Sequence, residues 1–125
     1  MKKLLLILLS LLFSFNSYGE WMKASSSNTA IHYLDFDNIR KHNGYIYYWK
    51  LSDLLKPLEN GDASWKIYHQ GDCGIFRHKL LSYHFHKKPM GGGIAEVFDD
   101  ETEWKYPVPE MVDGVVLKSA CEYVQ

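Results

Sequence analysis

The chain has 125 residues, 15% of them aromatic and 23% charged, with a formal net charge of −1. That length holds one domain with a modest core. The charge balance excludes a nucleic-acid partner, because binding phosphates takes a concentrated basic surface.

Lys2 and Lys3, the apolar stretch 4–15 and the small residues Ser17 and Gly19 before Glu20 read as an export signal occupying residues 1–19. The stretch turns polar after a dozen residues, whereas a spanning helix needs about 20, so cleavage is expected rather than retention as an anchor. The mature domain is then residues 20–125, with no stable membrane insertion and, once both leader lysines are lost, a formal charge of about −3. No cysteine stands near the cleavage point to carry a lipid. The expected address is the periplasm or the cell surface.

Short strands separated by turn chemistry fill most of the mature chain. Residues 20–24 form a first strand, the polar run Ser25-Ser26-Ser27-Asn28 turns the chain, and residues 30–34 alternate Ile31 and Tyr33 against His32 and Leu34. Asp35-Phe36-Asp37-Asn38 breaks the run and caps the Ile39-Arg40 segment. It is not a calcium loop, since the required glycine is missing and Ile46 stands where the late bidentate glutamate would be. Asn43-Gly44 is a hairpin cue. Residues 45–51 are rich in β-formers on both faces, with Tyr45, Tyr47 and Trp49 against Ile46 and Tyr48, which predicts a central strand. Residues 56–62 read as a loop, 64–70 as a strand, and 74–87 as a strand long enough to need a bulge. Pro89 and Gly91-Gly92-Gly93 turn the chain into a last strand at 94–98. The four tryptophans and the tyrosines are spread along these strands, which suits the two faces of a sheet better than a localised stacking platform.

The tail changes period. Pro107 and Pro109 end any strand, Pro109 suits the first turn of a helix, and Glu110 and Lys118 complement its two ends. Val112, Val115, Val116, Leu117 and Ala120 form an apolar stripe at helical spacing, with Cys121 on the Leu117 side. Gly114 inside that helix costs about 1 kcal/mol relative to alanine. A short helix needs docking. Cys73 and Cys121 are the only cysteines of an exported chain and are expected to pair, two buried thiols being the alternative. Together these elements predict an α+β fold: an antiparallel sheet of about five to six strands with a C-terminal helix on one face, tied by the disulfide.

Scattered positions stand in a fixed order: Trp21-Met22-Lys23, Ile31-His32-Tyr33-Leu34-Asp35 before Ile39-Arg40, and Tyr48-Trp49-Lys50-Leu51-Ser52-Asp53. Asp72-Cys73 with Arg77 and Leu80-Leu81-Ser82 follow, then Trp104 with Pro107 and Pro109 ahead of Cys121. This order resembles the surface-adhesin protein E family of bacterial exported proteins. The resemblance covers residues 20–123 and implies the same sheet-and-helix fold and a role in binding host, matrix or envelope proteins. The missing lipid-anchor cysteine separates this chain from lipid-anchored members and leaves a periplasmic accessory role as an alternative.

Recognition by the sheet is the expected mode, with Tyr45, Tyr47, Trp49, Tyr83, Lys87 and Lys88 as the candidate partner-binding residues, because aromatic side chains supply large contact area at low conformational cost. A haem or metal carrier is the third reading: His84 and His86 lie two apart and project from one face, with His69 or His32 on a neighbouring strand as the source of a further ligand, since His78 is about 20 Å from His84 along an extended strand. Two ligands do not make a site, and no cofactor is expected. Gly91-Gly92-Gly93 lacks the helix and the Lys-Ser or Lys-Thr pair of a phosphate cradle. A nucleophile elbow, an HExxH motif and a spaced carboxylate pair are all missing, so the expectation is that this is not an enzyme.

Overall fold

Residues 21–124 are described by the computed structural model; the expected leader and Glu20 lie outside them. Seven strands, β1 (Trp21–Ser26), β2 (Ala30–Asp35), β3 (Arg40–His42), β4 (Tyr45–Leu54), β5 (Ser64–Asp72), β6 (Arg77–His86) and β7 (Ala95–Phe98), form one antiparallel sheet in the order β1-β2-β4-β5-β6-β7. One helix, α1 (Val112–Tyr123), packs on it. β4 is interior, as its two-sided β-forming pattern predicts. The extra strand is β3, three exposed residues with no apolar alternation to betray them. It lies on β4 beyond the end of β2, so β2 and β3 share one edge of the longer strand and the 3-10 turn Phe36–Asn38 joins them. Asn43 and Gly44, at φ 50° and 83°, make the tight turn from β3 to β4.

The irregularity expected of the long strand falls between β5 and β6. Tyr68 pairs with Ser82 but His69 pairs with Leu80, leaving Leu81 as the extra residue. This shift keeps His78 and Tyr83 on one face although their numbers differ by five. The turn at Pro89–Gly91 does not stand free of the sheet. The Asp53 carboxylate accepts from Met90 N at 2.8 Å and the Ser64 hydroxyl from Gly91 N at 2.9 Å, so these amides are already used.

The core lies between α1 and one sheet face: Leu34, Ile46 and Tyr48 meet Val116, Leu117, Ala120 and Cys121. The buried stripe matches the periodicity, but the helix starts later than Pro109 predicts. Residues 108–111 form a turn in which Met111 N donates to Val108 O, and Asp113 occupies the first helical turn in place of Glu110. Lys118 falls short of the last turn. The cause is steric. An added Cβ on Gly114 would stand 2.0 Å from the Val108 carbonyl oxygen and 2.7 Å from Pro109 Cα, so the incoming strap lies directly against this glycine in the first helical turn, and residues 108–109 cannot also be part of the helix. Gly71 plays the matching part on the sheet, where a Cβ would meet Leu117 at 2.8 Å.

Cys73 and Cys121 are bonded, with 5.8 Å between their Cα atoms and a sequence separation of 48. Asp72 shapes the turn that presents Cys73. One carboxylate oxygen accepts from Gly74 N and Ile75 N, and the other accepts from Arg77 Nε at 3.0 Å. Burial pushes this carboxyl up, but those bonds and the Arg77 charge outweigh it and hold it below the usual range.

Two outcomes test this account of the helix seat. Helix propensity alone makes Gly114→Ala stabilising by about 1 kcal/mol; the overlap with Val108 instead predicts a loss of about 3 kcal/mol, read as a lower urea midpoint at unchanged m-value. Replacing Cys73 and Cys121 together by serine is expected to cost about 4 kcal/mol in the chain-entropy account, measured by the same titration.

Candidate functional site

Pairing register decides which side chains share the sheet face away from α1. Tyr45, Tyr47 and Trp49 of β4 lie there, and cross-strand pairing adds Tyr68 and Lys66 of β5, Lys79 and His84 of β6, and Arg40 of β3. Trp49 sits 4.7 Å from Tyr68 between ring centroids, Tyr68 sits 6.1 Å from Tyr47, and His84 meets Trp49 edge-on at 4.9 Å. At the β3 end of the sheet Tyr45 packs on Trp104 at 5.5 Å, and the Arg77 guanidinium and Lys79 ammonium lie over the same indole at 4.1 and 4.8 Å. Lys66 is 5.9 Å from the Trp49 ring. The result is a continuous aromatic stripe edged by cations and left uncovered by the helix. Burial, then the neighbouring Tyr47, raises the Tyr68 hydroxyl, which stays a proton donor at neutral pH.

The other candidates separate from this stripe. Tyr83 lies on the helix side, beyond the reach of α1, beside Phe85 and Phe98. Lys87 donates to Asp62 Oδ1 at 2.8 Å and Asn60 O at 2.9 Å, while Lys88 is exposed. His84 and His86 do share a face, with ring centroids 6.3 Å apart, but His86 is buried with Nδ1 against the Gly92 carbonyl at 3.2 Å. Burial first and Lys66 second lower both histidines, which favours neutral rings. Among the described residues no three His, Cys, Asp or Glu side chains stand together as a metal would require.

Tyr68, Lys66, Arg40 and Trp104 were missed by local reading. The signal for Arg40 was present: a two-residue turn at Asn43-Gly44 sets His42 opposite Tyr45 and therefore Arg40 opposite Tyr47. The others depend on the β4–β5 register and on the return of residues 104–105 to β6, where Lys105 bridges His78.

A second polar cluster lies under the start of α1. Lys50, nearly buried, donates to Asp113 at 2.9 Å, and His32 pairs with Ser52 at 2.8 Å. His69 stacks on the buried ring of Tyr48 at 5.0 Å and on His78 at 5.2 Å. His78, His32 and Lys50 line a cleft of about 460 Å³ beneath the strap at residues 105–113. Burial lowers all three histidines, His69 most, and Lys50 adds to the effect. Burial raises the Asp113 carboxyl, but the Lys50 charge and hydrogen bond overcome this and hold it low.

The sequence profile of the family described as surface-adhesin protein E matches residues 21–122. The chain belongs to that family. Among solved structures it is similar to Haemophilus influenzae protein E, with a TM-score of 0.63 at 14% identity over 82% of this chain and 93% of that one. A second crystal form of the Haemophilus influenzae protein gives 0.62 at 12% identity, over 87% and 100%. At such identity these likenesses establish the shared fold. No curated protein sequence matches the chain. The adhesin E fold thus agrees with the strand and helix pattern, and this surface adhesin-like domain carries its aromatic stripe on the face opposite the stapled helix. Among the described residues no helix is long and apolar enough to cross a membrane.

The buried histidines set a pH dependence. In the unfolded chain they titrate near 6.5. Their folded values are lowered, so they are neutral in both states above pH 6.5, and as pH falls below it the unfolded state takes up protons the folded state refuses. Stability is therefore expected to fall with pH below about 6.5, before the depressed carboxylates titrate. His69→Phe should flatten the slope by up to about 1.4 kcal/mol per pH unit, as read from unfolding midpoints between pH 7.5 and 4.5.

Proposed function

We propose that this adhesin E domain is an exported, non-catalytic, cofactor-free binding module that docks a host, matrix or envelope protein through the aromatic stripe opposite α1. The observation that carries this reading is the uncovered set of Tyr45, Tyr47, Trp49, Tyr68 and Trp104, bordered by Arg77 and Lys79 on the Trp104 ring. Large aromatic and arginine side chains fixed by cross-strand packing lose little entropy on binding, which is the composition of interface anchors. A rigid sheet under them supplies pre-organisation.

Two measurements test the proposal. Labelling of intact cells by a membrane-impermeant reagent is expected to reach the protein, and binding to a panel of immobilised matrix proteins is expected to be saturable. Tyr47→Ala combined with Trp104→Ala should lower that affinity at least about thirtyfold, as loss of an anchor worth about 2 kcal/mol implies. Labelling only after outer-membrane permeabilisation would instead favour the periplasmic accessory role.

A further inference from the structure

At the border of β1, β3 and the open sheet face is a cleft of about 380 Å³, lined among others by Trp21, Asp35, Arg40, Trp49, Lys66 and Tyr68. That volume is at the small end of ligand pockets, about 300 to 1,000 Å³. One wall is aromatic: Trp49 and Tyr68 are tilted by 37° at 4.7 Å, and Trp21 belongs to the same lining. The other residues are hydrogen-bonding: two cations, Arg40 and Lys66, the acid Asp35 and the amide Asn38.

Asp35 carries the strongest sign of an absent ligand. It is 8% exposed, and its Oδ2 accepts from Asn38 Nδ2 at 2.7 Å, but Oδ1 is buried without a partner among the described residues. A buried carboxylate oxygen left unbonded is costly, and Asp35 belongs to the cleft lining, so a donor that reaches this oxygen through a small shift of the lining is favoured. Arg40 is exposed and engages Asp37 O and Ile39 O through Nη1 at 3.3 Å and Asn38 Oδ1 through Nη2 at 3.2 Å, leaving other N–H groups of its fork unused. Among the described residues neither Arg40 nor Lys66 has a carboxylate within salt-bridge distance.

A ligand matching this wall has a flat, C–H-rich face for the rings, hydroxyl donors for Asp35, and an anionic group for Arg40 and Lys66. A pyranose ring bearing a carboxylate or sulfate has all three. Two unpaired cations against one acid disfavour a cationic guest in the aromatic corner, and the Asp35 oxygen disfavours a bare phosphate.

We infer that the Trp49–Tyr68–Asp35–Arg40 cleft is a binding subsite for an acidic saccharide. It is a separate statement from protein docking along the stripe, because Asp35, Arg40 and Lys66 carry it and Tyr45 and Trp104 do not.

The test is titration of the oxidised mature protein, followed by tryptophan fluorescence and calorimetry, with four probes: a sialylated trisaccharide, a sulfated heparin-derived tetrasaccharide, neutral maltotetraose and a short Asp/Glu-rich peptide. One or both acidic sugars should bind saturably, and which of them binds separates carboxylate from sulfate. Maltotetraose and the peptide should bind at least about tenfold more weakly. Arg40→Gln, at an exposed position, and Asp35→Asn should each weaken the acidic sugar about tenfold, with circular dichroism unchanged. The inference is overturned by acidic sugars that do not saturate, by equal binding of the neutral sugar or the peptide, or by undiminished binding in Arg40→Gln.

Discussion

The Cys73–Cys121 bridge holds a helix of twelve residues against the sheet, and the rest of the architecture depends on that seat. A helix of this length is marginal alone in water, so it exists because it is docked. Docking is close because two glycines permit it. Gly71 lets Leu117 sit down on β5, and Gly114 lets the strap carbonyl of Val108 cross the first helical turn. A packed interface of this kind has no slack to absorb a methyl group, which is why a residue that looks like a weakness in helix propensity is required by the tertiary structure.

Seating the helix over β1, β2 and β4 has a price in polar burial. Lys50 comes from the middle of the central strand and ends nearly buried under the helix, where Asp113 at the helix start neutralises it and adds favourable charge at the dipole's positive end. The histidines around it are neutralised by the same burial. This cluster links helix docking to pH, and it sits on the face opposite the aromatic stripe, so the core's polar strain and the stripe are physically separate.

The stripe itself follows from β-sheet geometry. One face of the sheet is occupied by α1; the other is covered at one end by the turn Pro89–Gly91, hydrogen-bonded to Asp53 and Ser64. Its tyrosines and tryptophans bury area against one another across strands, which fixes their rotamers before any partner arrives. The bulge at Leu81 decides membership: it puts Lys79 with the stripe and His78 beneath the helix, and restores His84 to the Trp49 side. Without it, every side chain of one half of β6 would face the other way.

The fold was largely legible in the chain because its signals are local. Alternation gave β2, β4 and β5, Asn43-Gly44 gave the hairpin, the 3.6-residue stripe ending at Cys121 gave α1, and two cysteines behind an export-like leader pattern gave the staple. The candidate site was legible only in part. Tyr45, Tyr47 and Trp49 share a face by parity alone, and Arg40 follows from the hairpin turn. Tyr83 lies on the other face and Lys87 is paired with Asp62: parity within one strand does not say which face a residue of another strand joins, and a lysine's partner across a loop is not a neighbour in sequence. The meeting of Asp35, Lys66 and Tyr68 with Trp49, the crossing of the strap at Gly114, and the burial of Lys50 were decided by tertiary structure. Each depends on strand register or on contacts between residues distant in the chain, which periodicity over a few residues does not encode.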